Sequence, residues 1–236
     1  MIKVLQNKSQ IVKAREELVR RGVSCIDPMS LSLMRRIGLY KGVSVGDNIK
    51  SWDVLETLNF VLDNVSKDKP VLDIGSYASE VPVALHRMGY TDVTGVDINV
   101  NLHKMPFNNF IRYVQANFME TGFNDASFYA ITSISVIEHG FDGVRLLKEM
   151  ARILKPGGYF LASFDYCPEK IDTSGITFFG MEWRIFSRED VVEFIDLAAD
   201  YGFNSVGESH YDGQEMPIDC GGKEYTFGWL ALKKSA

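Results

Sequence analysis

Two segments of the sequence carry residues suited to holding a nucleoside. Residues 71–79 (VLDIGSYAS) end an apolar run, turn at Gly75 and lead into a helical pattern. A glycine there lets the backbone approach a ligand, and the N-terminus of the next helix offers unpaired N–H groups. Asp97 lies 22 residues beyond Gly75, the spacing at which a carboxylate accepts hydrogen bonds from ribose hydroxyls. The loop and the acid together predict a nucleoside cofactor.

These residues need a scaffold that brings strand ends together. From Ser51 onward, short apolar strand patterns alternate with longer amphipathic helical patterns, which predicts a parallel sheet covered by helices. The predicted strands are 70–74, 92–96, 111–115, 128–136, 159–164, 205–210 and 225–232, and the predicted helices are 9–21, 30–37, 52–64, 79–87, 144–154 and 187–201. Ligands of a doubly wound sheet bind beyond the carboxyl ends of its strands, where the strand order reverses.

Composition argues against several other classes of protein. The net charge of −6 gives the chain no overall attraction for nucleic acid or anionic lipid, and no run of 18 apolar residues predicts a membrane span. The three cysteines, Cys25, Cys167 and Cys220, are far apart and form no metal-binding pair. We therefore expect a cytoplasmic protein with no metal site and with neither a nucleic acid nor a membrane as its partner.

The chain resembles the class I S-adenosylmethionine-dependent methyltransferases over residues 71–232. Five landmarks carry the resemblance in the family's order: Asp73-Ile74-Gly75, Asp97, 115–118 (QANF), 135–139 (SVIEH) and 154–158 (LKPGG). The resemblance implies an α/β fold with a Rossmann-like, doubly wound sheet of seven mostly parallel strands, and helices on both faces. It also implies an N-terminal helical cap over residues 1–50 and a methyltransferase domain over residues 51–236.

The same resemblance implies S-adenosylmethionine as the cofactor and S-adenosylhomocysteine as its product. Asp73 suits the cofactor's ammonium group, Asp97 the ribose, Asn117 the adenine amino group, and Phe118 a backbone contact. The predicted cofactor-binding residues are Asp73, Gly75, Ser76, Tyr77, Asp97, Ile98, Asn117, Phe118 and Ser135.

The glycine loop departs from the family pattern at two positions. Tyr77 and Ser79 stand where the family usually has its second and third glycines. Tyr77 either crowds the methionine end of the cofactor or turns its side chain outward. A nicotinamide dinucleotide is a poorer match to this loop. Gly75 is the one glycine that remains of the dinucleotide-binding pattern, and Asp73 would repel a pyrophosphate.

Candidates for the acceptor side follow the fourth and fifth predicted strands. His139, with an unperturbed pKa near 6.5, suits proton abstraction, and Asp165 and Tyr166 are further catalytic candidates. Each has a structural alternative, in a strand-to-helix turn for His139 and in a solvated loop for the other two.

The aromatic segment 176–186 either lines an acceptor pocket or packs against the N-terminal segment. Tyr40 and Trp52 are candidates for closing the site.

The interpretation that joins these observations is a methyltransferase that acts on a small molecule. The resemblance favours an oxygen or nitrogen nucleophile on an acceptor such as a sugar or a secondary metabolite, and a monomer or homodimer. The alternative is a non-catalytic nucleoside-binding scaffold on the same fold, which the altered glycine loop motivates.

Overall fold

The computed structural model describes residues 1–26, 37, 39 and 42–236. The strands in those ranges are β1 (Ile2–Val4), β2 (Val71–Ile74), β3 (Val93–Asp97), β4 (Arg112–Gln115), β5 (Phe128–Ile134), β6 (Leu154–Tyr166), β7 (Thr177–Phe178), β8 (Met181–Glu182), β9 (Phe203–Ser205), β10 (Ile218–Cys220) and β11 (Lys223–Lys234). The helices are α1 (Lys8–Arg20), α2 (Ser51–Asn64), α3 (Val81–Arg87), α4 (Gly143–Ile153) and α5 (Arg188–Asp200), with a 3-10 turn at Leu102–Lys104. The predicted helix at 30–37, apart from Ile37, and Tyr40 lie outside the described residues.

The main sheet is mixed but mostly parallel. Its strands lie in the order β1-β11-β6-β5-β2-β3-β4, and β9 and β10 each pair with β11. The pairs from β6 to β4 are parallel, whereas β11 runs antiparallel to both β1 and β6. The strand order reverses at β2, which lies between β3 and β5. The prediction of a Rossmann-like α/β fold is confirmed.

Both faces of the sheet are covered, because its central strands are mostly apolar and mostly buried. All four residues of β2 are buried. On one face α2 buries Leu58 and Val61, and on the other α4 buries Leu146 and Met150. Helices on both faces explain the near-continuous apolar runs of the parallel strands.

The strand count and several boundaries differ from the prediction. The described sheet has nine strands rather than seven, because β1 and β10 were not predicted. Strand β1 has three residues, too few to show the alternation of apolar and polar residues that marks a strand. Its position is fixed by antiparallel pairing with β11. Strand β6 begins at Leu154, because the turn at 155–158 continues into the strand through an irregular register.

Capping residues that the sequence predicted lie at the starts of helices α5 and α3. Helix α5 begins with the predicted capping box, in which Ser187 and Asp190 satisfy each other's backbone N–H groups. Helix α3 begins at Val81 with Glu80 at the N-cap position, and the predicted cap Ser79 lies one residue earlier, where its hydroxyl accepts a hydrogen bond from the N–H of Val81 at 3.3 Å. None of the helices in the described ranges is both long and apolar enough to cross a bilayer.

Candidate active site

A cleft of about 990 Å³ opens at the carboxyl ends of β2, β3, β4 and β5. This volume lies within the range of roughly 300–1,000 Å³ that ligand pockets occupy. Its walls include Gly75 and 77–80 after β2, 97–100 after β3, 117–119 after β4, and 134–136, His139 and Gly140 after β5, with Lys50, Arg145, Phe179 and Met181. Of the predicted cofactor residues, Asp73 and Ser76 are buried behind this wall and the other seven line it.

The turn after β2 requires a glycine. Gly75 has a φ of +68°, which residues with a side chain rarely adopt. A β-carbon at Gly75 would also overlap the side chain of Val136, on the loop after β5. The two neighbouring loops therefore pack directly against each other at the floor of the cleft.

Asp97 is held between two loops by backbone groups. The N–H of Tyr77 donates to Oδ2 of Asp97 at 2.9 Å, and the N–H of Asn99 donates to Oδ1 at 2.8 Å. A carboxylate oxygen accepts more than one hydrogen bond, so both oxygens keep capacity for ligand hydroxyls. The side chain of Tyr77 packs partly against the hydrophobic core, while its backbone orients Asp97.

Asp73 lies beneath the loop that it precedes. Its Oδ1 accepts a hydrogen bond from the Thr132 hydroxyl at 2.6 Å, and its buried Oδ2 accepts no hydrogen bond from the residues that the structure describes. Burial raises the pKa of Asp73 to about 7. The unpartnered oxygen is the feature that keeps Asp73 a predicted partner for an ammonium group.

The far end of the cleft is apolar and open. Ile98 and Val100 expose 58% and 68% of their surface there, although both are aliphatic. Asn117 lies across from them, and its side-chain oxygen accepts a hydrogen bond from the N–H of Met119 at 2.9 Å. Exposed aliphatic side chains beside an oriented amide suit the flat face and polar edge of a purine.

His139 forms the opposite end of the cleft together with a hairpin. The imidazole makes edge-on contacts with Phe178 and Phe179, at centroid distances of 6.1 and 5.3 Å. Burial lowers the pKa of His139, so the ring is neutral near pH 7. Its buried Nδ1 has no hydrogen-bond partner in the described part of the chain. A neutral imidazole that lines a cleft is suited to accept a proton from a ligand.

The hairpin of β7 and β8 brings an aromatic side chain to this end. Its turn places Phe179 and Gly180 at φ values of +56° and +77°, and Phe179 is 86% exposed. The Gly140 N–H donates to the carbonyl of Glu182 at 2.8 Å, which fixes the hairpin to the loop after β5. The aromatic segment thus contributes both a cleft wall and buried packing through Trp183.

The other two predicted catalytic residues do not reach the cleft wall. Asp165 is 4% exposed and accepts a hydrogen bond from the Trp183 indole at 2.8 Å. Tyr166 is fully buried, and its hydroxyl donates to the carbonyl of Tyr211 at 2.7 Å. The structure therefore places His139 alone of the three at the cleft.

Lys50 is a cleft residue that sequence reasoning missed. Its ammonium donates to the Ser135 hydroxyl at 2.5 Å, lies 3.6 Å from Oδ1 of Asp165, and lies 3.8 Å from the centroid of the Phe227 ring. No motif surrounds Lys50, and its neighbours come from β5, β6 and β11. A long-range arrangement of this kind leaves no local pattern in the sequence.

Comparisons with known proteins match this architecture. Residues 72–162 match the family described as "Methyltransferase domain". By that match, this segment is a methyltransferase domain. The match confirms the prediction of the family and of S-adenosylmethionine as its cofactor. The segment contains β2 to β5 and therefore most of the strand-end loops that line the cleft.

Curated relatives and a solved structure resemble the methyltransferase domain at low identity. A sterol methyltransferase-like 3 protein of Botryococcus braunii is 32% identical over 42% of the chain and 27% of its own length. A ubiquinone biosynthesis O-methyltransferase of Aliivibrio fischeri is 27% identical over 45% of the chain and 49% of its own length. The chain thus spans half or less of these relatives. The [4+2]-cyclase SpnF shares the fold with a TM-score of 0.61 at 13% identity, over 99% of this chain and 100% of its own.

The residues of the methyltransferase cleft fit S-adenosylmethionine. Asp97 would hold the ribose, Ile98 and Val100 would pack against the adenine, and Lys50 would face the methionine carboxylate. The Asp73 oxygen that accepts no hydrogen bond within the described residues supports the ammonium assignment. Within the described residues, no group of three or more His, Cys, Asp or Glu side chains is arranged to hold a metal ion.

Proposed function

We propose that this protein transfers the methyl group of S-adenosylmethionine to an oxygen or nitrogen atom of a small acceptor molecule. The observation that carries the proposal is one cleft with two different ends. One end presents the Gly75 turn and the Asp97 carboxylate, and the other presents His139 beside the exposed Phe179. A nucleoside and a second, smaller molecule have room to meet between them.

The bound cofactor supplies a methyl group that is already activated by its sulfonium charge. The protein's contribution is then to align the acceptor with that methyl group and to exclude water. Phe179 and Met181 supply an apolar wall for the acceptor, and His139 accepts the proton when the acceptor is a hydroxyl. A sugar or a secondary metabolite with a free hydroxyl is the acceptor we favour.

The scaffold alternative rests on Tyr77 in the glycine loop. Its backbone N–H still donates to Asp97, and its side chain packs against the core, which supports an intact cofactor loop. The alternative predicts ligand binding without turnover, so binding and methyl transfer need separate measurements.

Calorimetric titration of the purified protein tests the cofactor part of the proposal. S-adenosylmethionine and S-adenosylhomocysteine should bind at micromolar concentrations, whereas NAD should not. The D97A variant should bind S-adenosylhomocysteine roughly 10- to 100-fold more weakly, because a charge-assisted hydrogen bond is worth about 1.5–3 kcal/mol. D92A is the matched control, since Asp92 is exposed at the opposite end of β3. Equal affinity of D97A and D92A would contradict the proposed ribose contact.

Transfer itself is tested with methyl-labelled S-adenosylmethionine and small-molecule fractions of a cell extract. Label should appear in a low-molecular-weight product with the wild-type protein and decrease at least tenfold with D97A. Tight binding of the cofactor with no labelled product in any fraction would favour the scaffold.

A further inference from the structure

Three buried carboxyl groups meet behind the acceptor end of the cleft. Asp53 comes from the first turn of α2, Glu138 from the loop after β5, and Asp165 from the end of β6. Their exposed fractions are 0%, 1% and 4%. They form one group although they are more than 25 residues apart in the sequence, and we call it the acid cluster.

The acid cluster has fewer hydrogen-bond donors than oxygens. The Ser163 hydroxyl donates to Asp53 and the Trp183 indole donates to Asp165, each at 2.8 Å. Among the described residues, Oδ1 of Asp53 and both oxygens of Glu138 have no hydrogen-bond partner, and Oδ1 of Asp165 accepts no hydrogen bond but lies 3.6 Å from the Lys50 ammonium. Three carboxylates in a dry site beside the Lys50 ammonium cannot all be ionised, so the cluster holds protons.

Two side chains connect the acid cluster with the cleft. Lys50 lies 3.6 Å from Asp165 and donates to Ser135, which lines the cleft. His139 lines the cleft too, with its Nδ1 buried, and its backbone pairs with that of Trp183, whose indole binds Asp165. The Lys50 ammonium therefore contacts both the cleft wall and the cluster, and a charge on a ligand in the cleft acts on the cluster through weakly screened, buried surroundings.

We propose that the acid cluster receives the proton that the acceptor hydroxyl loses during methyl transfer. This inference rests on the proposed function. The acceptor oxygen forms a bond to the methyl carbon while the carbon–sulfur bond breaks, and sulfur keeps that electron pair. The acceptor's proton passes to His139 and then to a carboxylate of the cluster. The positive charge lost from sulfur is thereby balanced by the negative charge lost from the cluster.

The surroundings of the cluster support proton exchange near neutral pH. The other titratable groups that face it are Lys50 from the start of α2, His139, and Tyr225 from β11. Burial raises the pKa of Asp53 to about 7, and burial together with the neighbouring Asp165 raises the pKa of Glu138 well above its usual range. A sulfonium nearby lowers these pKa values, and its conversion to a thioether lets them rise again.

The test compares proton release when two ligands that differ by one charge bind to the full chain. Titration calorimetry is run with S-adenosylmethionine and with S-adenosylhomocysteine at pH 7, in two buffers of different ionisation enthalpy. We expect S-adenosylmethionine to release about 0.3–1 more protons than S-adenosylhomocysteine, because only the former carries a sulfonium charge. Equal release by both ligands would overturn the inference while leaving the proposed function intact.

Variants assign the proton to the cluster. E138Q should reduce the difference in proton release to near zero, and E120Q, which changes an exposed glutamate on the loop after β4, should leave it unchanged. D165N provides a second variant of the cluster, should the folding of E138Q be impaired. A full difference in both E138Q and D165N would refute the assignment. Absence of binding by either ligand to the wild-type protein would instead overturn the proposed function, and this inference with it.

Discussion

Gly75 combines two separate constraints at one position. Its positive φ disfavours any side chain, and Val136 occupies the space that a β-carbon would need. The first constraint is local, and the sequence pattern already indicated it. The second comes from the loop after β5, 61 residues further along the chain, and only the folded arrangement of β2 beside β5 reveals it.

A comparison of two alanine variants separates these constraints. Gly157 has a φ of +76° with no atom within 4 Å of a built β-carbon, so G157A should lose about 1 kcal/mol of unfolding free energy from backbone strain alone. G75A should lose roughly 2–4 kcal/mol, because overpacking adds to the same strain. Urea unfolding measures both, and G75A/V136A should recover part of the loss. Equal losses of unfolding free energy in G75A and G157A would show that the loop after β5 moves away from the added methyl group without destabilising the protein.

The sequence predicted the cleft residues whose type and spacing form a local pattern. Gly75 and Asp97 follow apolar strands at a characteristic spacing, so both were found from the sequence, and the structure places them in the cleft. Lys50, Asp53 and the orientation of Asp165 depend on how α2 packs against β5, β6 and β11. Such contacts between distant elements have no local period, and the sequence therefore did not indicate them.

Helix α1 is joined to the cofactor loop by a buried ion pair. Arg15 donates two hydrogen bonds to the Glu80 carboxylate, at 2.7 and 2.9 Å, and Glu80 directly precedes α3. The Glu80 side chain is 1% exposed and the Arg15 side chain 14%. The pair ties the N-terminal residues to the loop that begins at Gly75.

Removal of the arginine should destabilise the protein strongly. R15M should lower the unfolding free energy by about 3–5 kcal/mol, because it leaves Glu80 buried without its cation. The control is K3M, which breaks the more exposed pair of Lys3 and Glu56 and should cost at most about 1 kcal/mol. Urea unfolding at pH 7 compares them. A cost for R15M no larger than that for K3M would mean that Glu80 is satisfied without Arg15.

The hairpin of β7 and β8 offers a test of the acceptor wall. Phe179 is strained and exposed, so F179G should keep or raise the unfolding free energy by up to about 1 kcal/mol. It should also raise the KM for the acceptor several-fold while the affinity for S-adenosylhomocysteine stays constant. F107G is the matched control, since Phe107 also has a positive φ but lies outside the cleft. An unchanged acceptor KM in F179G would remove Phe179 from the acceptor site.

At the scale of the whole molecule, the sheet and its covering helices followed from the periodicity of the sequence. The two added strands at the antiparallel edge did not, because β1 and β10 have three residues each and depend on β11 for their pairing. The likeness to a [4+2]-cyclase shows that this fold serves more than one reaction, so the function has to be argued from the cleft.

The buried acids make the whole molecule less stable as the pH rises. Asp53 and Asp73 have folded-state pKa values of about 7, above the unfolded value of 3.8. The folded protein therefore holds protons that the unfolded chain releases, and the unfolding free energy falls between about pH 4 and pH 7. The lowered pKa values of His139 and of the Met1 amino group, the latter about 6, act in the opposite direction, against the three raised carboxyl groups of Asp53, Asp73 and Glu138.

Urea unfolding at pH 5 and pH 8 checks this dependence. The wild-type protein should be less stable at pH 8, and D53N should remove part of the difference, gaining roughly 1–3 kcal/mol at pH 8 relative to the wild type. D92N changes an exposed aspartate and should leave the pH dependence as it is. A wild-type protein that is equally stable at both pH values would show that these carboxyl groups are ionised without penalty.

Trp183 lies where the hairpin, the acceptor end of the cleft and the acid cluster meet. Its indole donates to Asp165, its ring lies 5.1 Å from Phe178 by centroids, and its backbone pairs with His139. Indole emission shifts with the charge and the packing around the ring. Of the three tryptophans of the chain, Trp183 is therefore the intrinsic fluorophore whose emission follows events at the acceptor end without a label or a coupled assay.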